Sequence, residues 1–322
     1  MPTRRLLLAA ALASPSLARA QGVWAPSRPI TLLVGFAPGG GTDIIARLLA
    51  PALQQELGQP IAVENRPGAS GTIAALAGTR AAPDGHTLYM TTVSASAVVP
   101  PLMQPPPFDI FRDQTAVALA ATVPLVAVVP KDAREQSLTE LLARARANPG
   151  ALNYSSSGVA TQQHLATELL CAEARVRMTH VPFRGTGQAV NEILAGRIDL
   201  ALDTLPTYLP HLRNGGVRAL AVTMPRRVQW LPETPTVAES GFPGFDSNVW
   251  YMLMGPAGLP APVANRLAAA VEKALRDPVL GPRVEQAGFI RGGGTPADAA
   301  ALLQRDAERY AALIRATGIK LE

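Results

Sequence analysis

The chain of 322 residues holds a single cysteine, Cys171. One thiol excludes an intrachain disulfide, and with no cysteine close to the N-terminal leader, anchoring through a lipidated cysteine is not expected. Cys171 falls among apolar helix positions, where it reads as a small buried hydrophobe. The four histidines, His86, His164, His180 and His211, show no ligand spacing and have no second cysteine to join them, so no metal and no other cofactor is expected. Beyond the leader no segment approaches the roughly eighteen consecutive apolar residues of a membrane-spanning helix, so the mature protein is expected to be soluble. Two further absences concern chemistry. No Gly-Lys-Ser/Thr follows Gly39-Gly40-Gly41, which excludes a Walker loop, and three adjacent glycines lack the spacing of a dinucleotide fingerprint. Gly-x-Ser-x-Gly is missing as well, and with it the nucleophile elbow of α/β hydrolases.

The N-terminus does carry a pattern. Arg4 and Arg5 precede an apolar stretch over residues 6–13, and Ala18-Arg19-Ala20 is a small-x-small site. These are the parts of a signal peptide cleaved after Ala20, with a mature start at Gln21 and a periplasmic destination. The paired arginines leave both general secretion and the twin-arginine route open, general secretion being the commoner. Without Arg4, Arg5 and Arg19, the excess of 29 Lys and Arg over 24 Asp and Glu shrinks to about +2. Such a balance is no nucleic-acid footprint.

About 300 mature residues exceed what one hydrophobic core encloses, so two lobes are expected. From Arg28 onward, short apolar or β-branched runs alternate with helical periodicity, which predicts an α/β fold with mostly parallel sheets. Strands are expected over 30–34, 61–64, 87–91, 152–154, 178–181, 199–202 and 217–223, and helices over 72–80 and 161–170. Another helix starts at Thr42/Asp43, its stripe Ile44, Ile45, Leu48, Leu49, Leu53 and Leu57, with a kink at Pro51. The runs 117–122 and 125–129 read as separate, the second being a candidate crossing strand; 250–254 reads as the return strand. Ser137-x-x-Glu140 and Thr295-x-x-Asp298 have capping-box spacing. Helices over 263–275 and 297–317 are expected to fold back on the first lobe. This places one lobe at 28–124 plus 247–322 and the other at 125–246.

Each lobe then owns two glycine-containing turns between a strand's C-terminal end and a helix N-terminus: 35–41 and 65–71 in one, 155–158 and 182–187 in the other. Ligands of open α/β sheets bind at that edge. Exposed amide N–H groups and helix dipoles suit it to an anion. The economical ligand is a small carboxylate. Only Arg66 and Arg184 bring positive charge to these turns, so amides, hydroxyls and bridging water carry the recognition. Asp43 reads first as a helix cap and second as a ligand contact. Ser70 and Thr161 divide evenly between capping and ligand contact. His164 reads as a packed core histidine. Asp203, at a strand end, needs donors from loop amides, an ordered water or a ligand.

The blocks Arg28-Pro29-Ile30 through Gly39-Gly40-Gly41-Thr42-Asp43, Val63-Glu64-Asn65-Arg66-Pro67-Gly68, Leu152-Asn153-Tyr154-Ser155-Ser156 and His180-Val181-Pro182-Phe183-Arg184-Gly185-Thr186-Gly187 resemble the Bug-type (TctC-like) substrate-binding receptors of tripartite tricarboxylate transport systems. So do Arg218-Ala219-Leu220-Ala221-Val222-Thr223, Leu231-Pro232-Glu233-Thr234-Pro235 and Gly255-Pro256-Ala257-Gly258, and the resemblance spans the mature chain. It implies a two-lobed periplasmic binding protein, type II-like, with two crossing strands and no catalytic activity. Its partners are a small carboxylate and the membrane permease subunits of the transporter, and a monomer is expected. Carried onto matching positions, the ligand site comprises Phe36, Ala37, Gly40, Thr42, Asp43 and Ser70 from the first lobe. The second lobe supplies Ser157, Gly158, Thr161, His164, Phe183, Gly185 and Asp203. In the family, first-lobe amides and two ordered waters hold the carboxylate.

Three departures from the family pattern are apolar: Val159-Ala160, Phe183, and Met252 after Trp250-Tyr251. If they line the cleft, the ligand is an aromatic or short aliphatic monocarboxylate rather than citrate. Two other functions remain to be weighed. Ser157, His164 and Asp203 occur in hydrolase-compatible order, and a closed binding protein can signal to a sensor instead of feeding a permease.

Overall fold

Ile30–Val34 (β1) is buried on both faces, as befits a strand inside a sheet rather than on its edge. It pairs in parallel with Ile61–Asn65 (β2) on one side and Thr87–Thr92 (β3) on the other. Gly41–Leu57 (α1) and Thr72–Thr79 (α2) make the crossovers. The computed structural model describes residues 24–317; the export signal expected over residues 1–20 lies outside them. Helix α1 buries Ile45, Leu49, Leu53 and Leu57 and stops at Gly58, whose φ of 74° is the left-handed conformation glycine adopts without strain. It runs through Pro51 as one element. Pro51 is exposed, so the carbonyl its ring leaves without an N–H can turn to water.

After β3 the chain passes through a short wide helical turn into Val99–Leu102 (α3) and then enters Gln114–Pro130 (β4), a strand of 17 residues. Two runs were expected here, 117–122 and 125–129. They are one strand because Pro124, which has no N–H to offer, sits where the strand changes partners.

Leu138–Ala147 (α4) opens at the cap Ser137: Glu140 N donates to Ser137 Oγ at 3.2 Å, while the Glu140 carboxylate reaches one residue past the cap and accepts from Gln136 N at 2.7 Å. Then follow Asn153–Ser156 (β5), Gln162–Ala174 (α5), Thr179–Pro182 (β6), Thr186–Leu194 (α6), Leu200–Thr204 (β7), Leu205–Arg213 (α7) and Val217–Val222 (β8). Helix α7 was not among the helices expected from the sequence, although it runs on through Pro210. Pro206 occupies the first turn, where no N–H is needed. Asn248–Pro256 (β9) returns, followed by Ala261–Arg276 (α8), Leu280–Gln286 (α9), Ile290–Gly293 (β10) and Pro296–Thr317 (α10).

Strand pairing divides the molecule into two wings. In the first, β2, β1, β3 and β9 lie side by side, and β9 and β10 flank β4 as far as Pro124. From Leu125 onward β4 is flanked instead by β7 and β8, and β5 and β6 extend this second wing. The parallel ladders occupy the outer strands, while β4 and β9 run antiparallel to every neighbour, so each wing is a mixed sheet. The C-terminal helices cover the first wing: α8 packs on α1 and β4, and α10 on β4. Trp250 is buried, and its indole N–H donates to Asp306 Oδ2 of α10 at 2.7 Å. Cys171 is buried and unpaired, and burial pushes its thiol up to about 12. No helix of the described residues is long and apolar enough to cross a membrane.

Candidate functional site

Strand C-terminal ends and helix N-termini of both wings meet in one cleft, which contains a narrow inner chamber and a larger outer one. The inner chamber, of about 20 Å³, is walled by Gly40, Gly41 and Thr42 at the start of α1, by Thr92 at the end of β3 and by Ser94 just after it. The second wing contributes Ser157, Thr161 and Gln163 around the start of α5, Thr186 at the start of α6 and Thr204 at the start of α7. Tyr251 of β9 closes it. No lysine or arginine lines this chamber. Its polarity comes from hydroxyls, one amide side chain and the first turns of four helices, whose N–H groups have no carbonyl one turn earlier. That arrangement stabilises negative charge without a formal cation.

Gly41 is needed where it stands: a Cβ there would lie 2.1 Å from the Tyr251 hydroxyl. Helix α1 has no side-chain cap. Asp43, one turn in, reaches back to accept from Gly39 N at 3.0 Å, and its other oxygen accepts from Arg47 Nε and Asn65 Nδ2, each at 2.9 Å. Asp43 therefore shapes the glycine turn and lines neither chamber.

The outer chamber, of about 370 Å³, opens between the other turns. Gly68, Ala69, Ser70 and Gly71 form one side, Ser157, Gly158 and Val159 another, and Phe183 and Arg184 a third, with Val99 and Met103 of the α3 segment behind. Phe36 and Ser157 border both chambers. Two segments here hold non-glycine residues at positive φ, Ala69 and Ser70 at 45° and 53° and Ala160 at 56°. Each such residue costs on the order of 1–3 kcal/mol and persists only where its neighbours enforce it. The segments brace each other: Ser70 Oγ donates to Val159 O at 2.6 Å. Further bonds cross between the wings, from Ala37 N to Arg184 O at 3.1 Å and from Gln162 N to Ser94 Oγ at 2.9 Å. The cleft is closed.

Behind the second-wing wall stands a stack of rings. His164 lies on His180, and His180 on Tyr154. His164 Nδ1 accepts from Ala160 N at 3.0 Å, and His180 Nε2 is 2.6 Å from Ser156 Oγ. Burial holds both histidines below their usual range, His180 at about 4, with the neighbouring His164 adding to the effect. They support the loop and line neither chamber. Asp203 is fully buried just behind Thr186, Gln163 and Thr204, and burial pushes its carboxyl up to about 6.

Of the residues singled out from the sequence, Phe36, Gly40, Thr42, Ser70, Ser157, Gly158, Thr161 and Phe183 border the two chambers. Ala37 and Gly185 stand at the contact between wings, where a Cβ on Gly185 would lie 3.0 Å from Ala37 N. Asp43, His164 and Asp203 act from behind. Of the apolar departures, Val159 and Phe183 line the outer chamber. Met252 does not line the cleft: it is fully buried on β9 among Met254, Trp250 and Leu303. Alternate strand residues face opposite ways, so Tyr251 turns to the chamber and Met252 to the core. Arg66 pairs with Glu64 at 2.7 Å and stays outside. Thr92, Ser94, Gln163, Thr186, Thr204 and Tyr251 were not singled out. Thr186 lay inside a recognised turn and Thr204 directly after Asp203, but Thr92 and Ser94 lie at the end of a strand with no glycine to mark it.

Ser157, His164 and Asp203 do not hydrogen-bond one another: His164 is held by Ala160, and Asp203 by Gln163, Thr186 and Thr204. Among the described residues no group of three His, Cys, Asp or Glu side chains could hold a metal ion.

The sequence profile of the tripartite tricarboxylate transporter family receptor matches residues 45–319. The UPF0065 protein in the tcbD-tcbE intergenic region of a Pseudomonas species is 41% identical over 315 residues, covering 97% of this chain and 93% of that protein. A Rhodopseudomonas palustris protein solved with adipate superposes with a TM-score of 0.88 at 32% identity, covering 92% of this chain and 99% of its own. MatC from the same organism, solved with bound malate, superposes with a TM-score of 0.84 at 32% identity, covering 90% and 99%.

Proposed function

The chain belongs to the tripartite tricarboxylate transporter receptor family, and from that premise we propose that it captures a small carboxylate in its cleft and delivers it to membrane permease subunits. Its family and fold make it a periplasmic solute-binding receptor rather than an enzyme. The observation that carries the ligand class is the inner chamber, where four helix N-termini and a ring of hydroxyls converge with no lysine or arginine on the wall. Such a site suits a compact anion that accepts several hydrogen bonds, and a carboxylate is the compact organic case. Adipate and malate in two related proteins support the same class.

The acid group occupies the inner chamber, and the rest of the ligand extends into the outer one against Val159, Phe183, Val99 and Met103. That apolar lining favours an aromatic or short aliphatic monocarboxylate over citrate. The two wings act as lobes, residues 28–124 with 247–322 and residues 125–246, swinging about β4 and β9. The Ser70, Ala37 and Gln162 bonds between the wings are made on closure. The chain is exported by a signal peptide cleaved after Ala20 and works as a monomer.

Isothermal titration of the mature chain with benzoate, butyrate, adipate, malate and citrate tests this reading. A monocarboxylate in first place supports it; citrate binding tighter than every monocarboxylate overturns the outer-chamber assignment.

A further inference from the structure

Three residues of the inner-chamber wall hang on one oxygen atom. Gln163 Nε2 and Thr186 Oγ1 each donate to Asp203 Oδ1 at 2.9 Å, and Thr204 N donates to it at 2.6 Å. Gln163 and Thr186 belong to α5 and α6 and Thr204 is the cap residue of α7, so this single carboxylate sets the spacing of three helix starts. The second oxygen, Oδ2, is buried and has no hydrogen-bond partner.

The titratable groups that face Asp203 are Tyr208 of α7 and Tyr251 of β9, both phenols whose ionisation its charge opposes. Helices α5 and α6 present the neutral Gln163 and Thr186, and β4 places Val126 opposite it. No basic side chain pairs with Asp203 among the described residues, and none lines the chamber. An anion in that chamber would lie one side chain away from a second negative charge, with no cation between them. Like charges so placed do not both stay ionised.

We propose that Asp203 is the positioning residue of the inner chamber and that the ligand anion enters together with one proton, taken from solvent onto Asp203 Oδ2. The bound state then holds one anion and one neutral carboxyl, and Oδ1 keeps its three donors. The raised proton affinity that burial gives Asp203 favours this uptake. The inference rests on the carboxylate reading above and adds a co-ligand to it.

The test is calorimetric titration of the mature chain at pH 7.5 with benzoate, butyrate, adipate and malate, in buffers of different ionisation enthalpy. For whichever acid binds, the observed enthalpy should change with buffer ionisation enthalpy at a slope near one proton, and Kd should weaken by up to about tenfold per pH unit above pH 6.5. In Asp203→Asn, which keeps an acceptor oxygen for Gln163 and Thr186 but cannot titrate, both dependences should vanish. Asp203→Ala, which removes the shared acceptor, should bind more weakly at every pH. Binding without proton uptake in the native chain, or a slope retained in Asp203→Asn, overturns this inference and leaves the carboxylate reading standing. Failure of every acid to bind overturns the carboxylate reading, and this inference with it.

Discussion

The imidazoles of His164 and His180 lie face to face, with ring centroids 4.0 Å apart and planes 7° from parallel. Two rings so close cannot both carry a proton without repulsion, and burial disfavours charging either one. The pair therefore stabilises the fold only while neutral. A histidine free in the unfolded chain titrates near about 6.5, whereas His180 in the fold titrates at about 4. Its contribution is fully present above the unfolded value and is lost as pH falls through that window. Urea unfolding should give a stability at pH 4.5 lower than at pH 7 by on the order of 1–2 kcal/mol from this pair, after allowance for the partly solvated rings. In His180→Gln the share due to His180 should disappear, leaving the smaller share of the buried His164.

Gly187 bears on closure alone. A Cβ there would lie 2.2 Å from Pro38 O on the opposite wing, a backbone atom with little freedom to retreat. Gly187→Ala should weaken ligand binding by about 1–3 kcal/mol while the melting temperature of the ligand-free chain stays level or rises, because alanine is the better helix former. Titration calorimetry and thermal unfolding on the same preparation separate the two effects.

Ser70 holds the strained turn of one wing to that of the other through Val159 O. Ser70→Ala removes the donor and leaves a carbonyl unpaired in the closed cleft. Affinity should fall by about 1 kcal/mol, roughly fivefold in Kd, chiefly through faster dissociation. Stopped-flow fluorescence measures both rates.

Selectivity should follow the outer chamber. Phe183→Tyr together with Val159→Ser adds two hydroxyls to a wall that is otherwise mostly apolar. The double variant should lose affinity for an aromatic monocarboxylate and gain for hydroxylated di- and tricarboxylates, shifting the ratio of their Kd values by about tenfold or more. Competition titrations read that ratio directly.

Much of this was legible in the sequence because the relevant physics is local. Gly39-Gly40-Gly41, Gly158 and Gly185 mark turns that only small residues can make, and eight of the residues singled out there border the chambers. Ser137 and Thr295 cap their helices as the spacing predicts, and at Thr295 the box is reciprocal. What escaped notice depends on tertiary pairing. The runs 117–122 and 125–129 are joined in β4 through Pro124, whose missing N–H matters only if a neighbour wants it. Met252, a cleft residue only if it shared the facing of Tyr251, falls on the opposite face of β9 and packs in the core. Gln163 and Ser94 carry no local mark, and what draws them to one chamber is the convergence of three helix starts on Asp203 and the closing of one wing on the other.

The central claim is that the cleft recognises a carboxylate group, and the most direct measurement compares acids with isosteric neutral analogues in thermal unfolding of the mature chain stripped of carried-over ligand. Benzoate against benzamide and adipate against adipamide differ at the group the inner chamber is built to hold. An acid at a hundred times its Kd should add about 2.7 kcal/mol of stability and raise the melting temperature by several degrees, while its amide at the same concentration leaves it unchanged. Equal stabilisation by acid and amide, or none by any acid in a refolded and competent chain, would contradict the account.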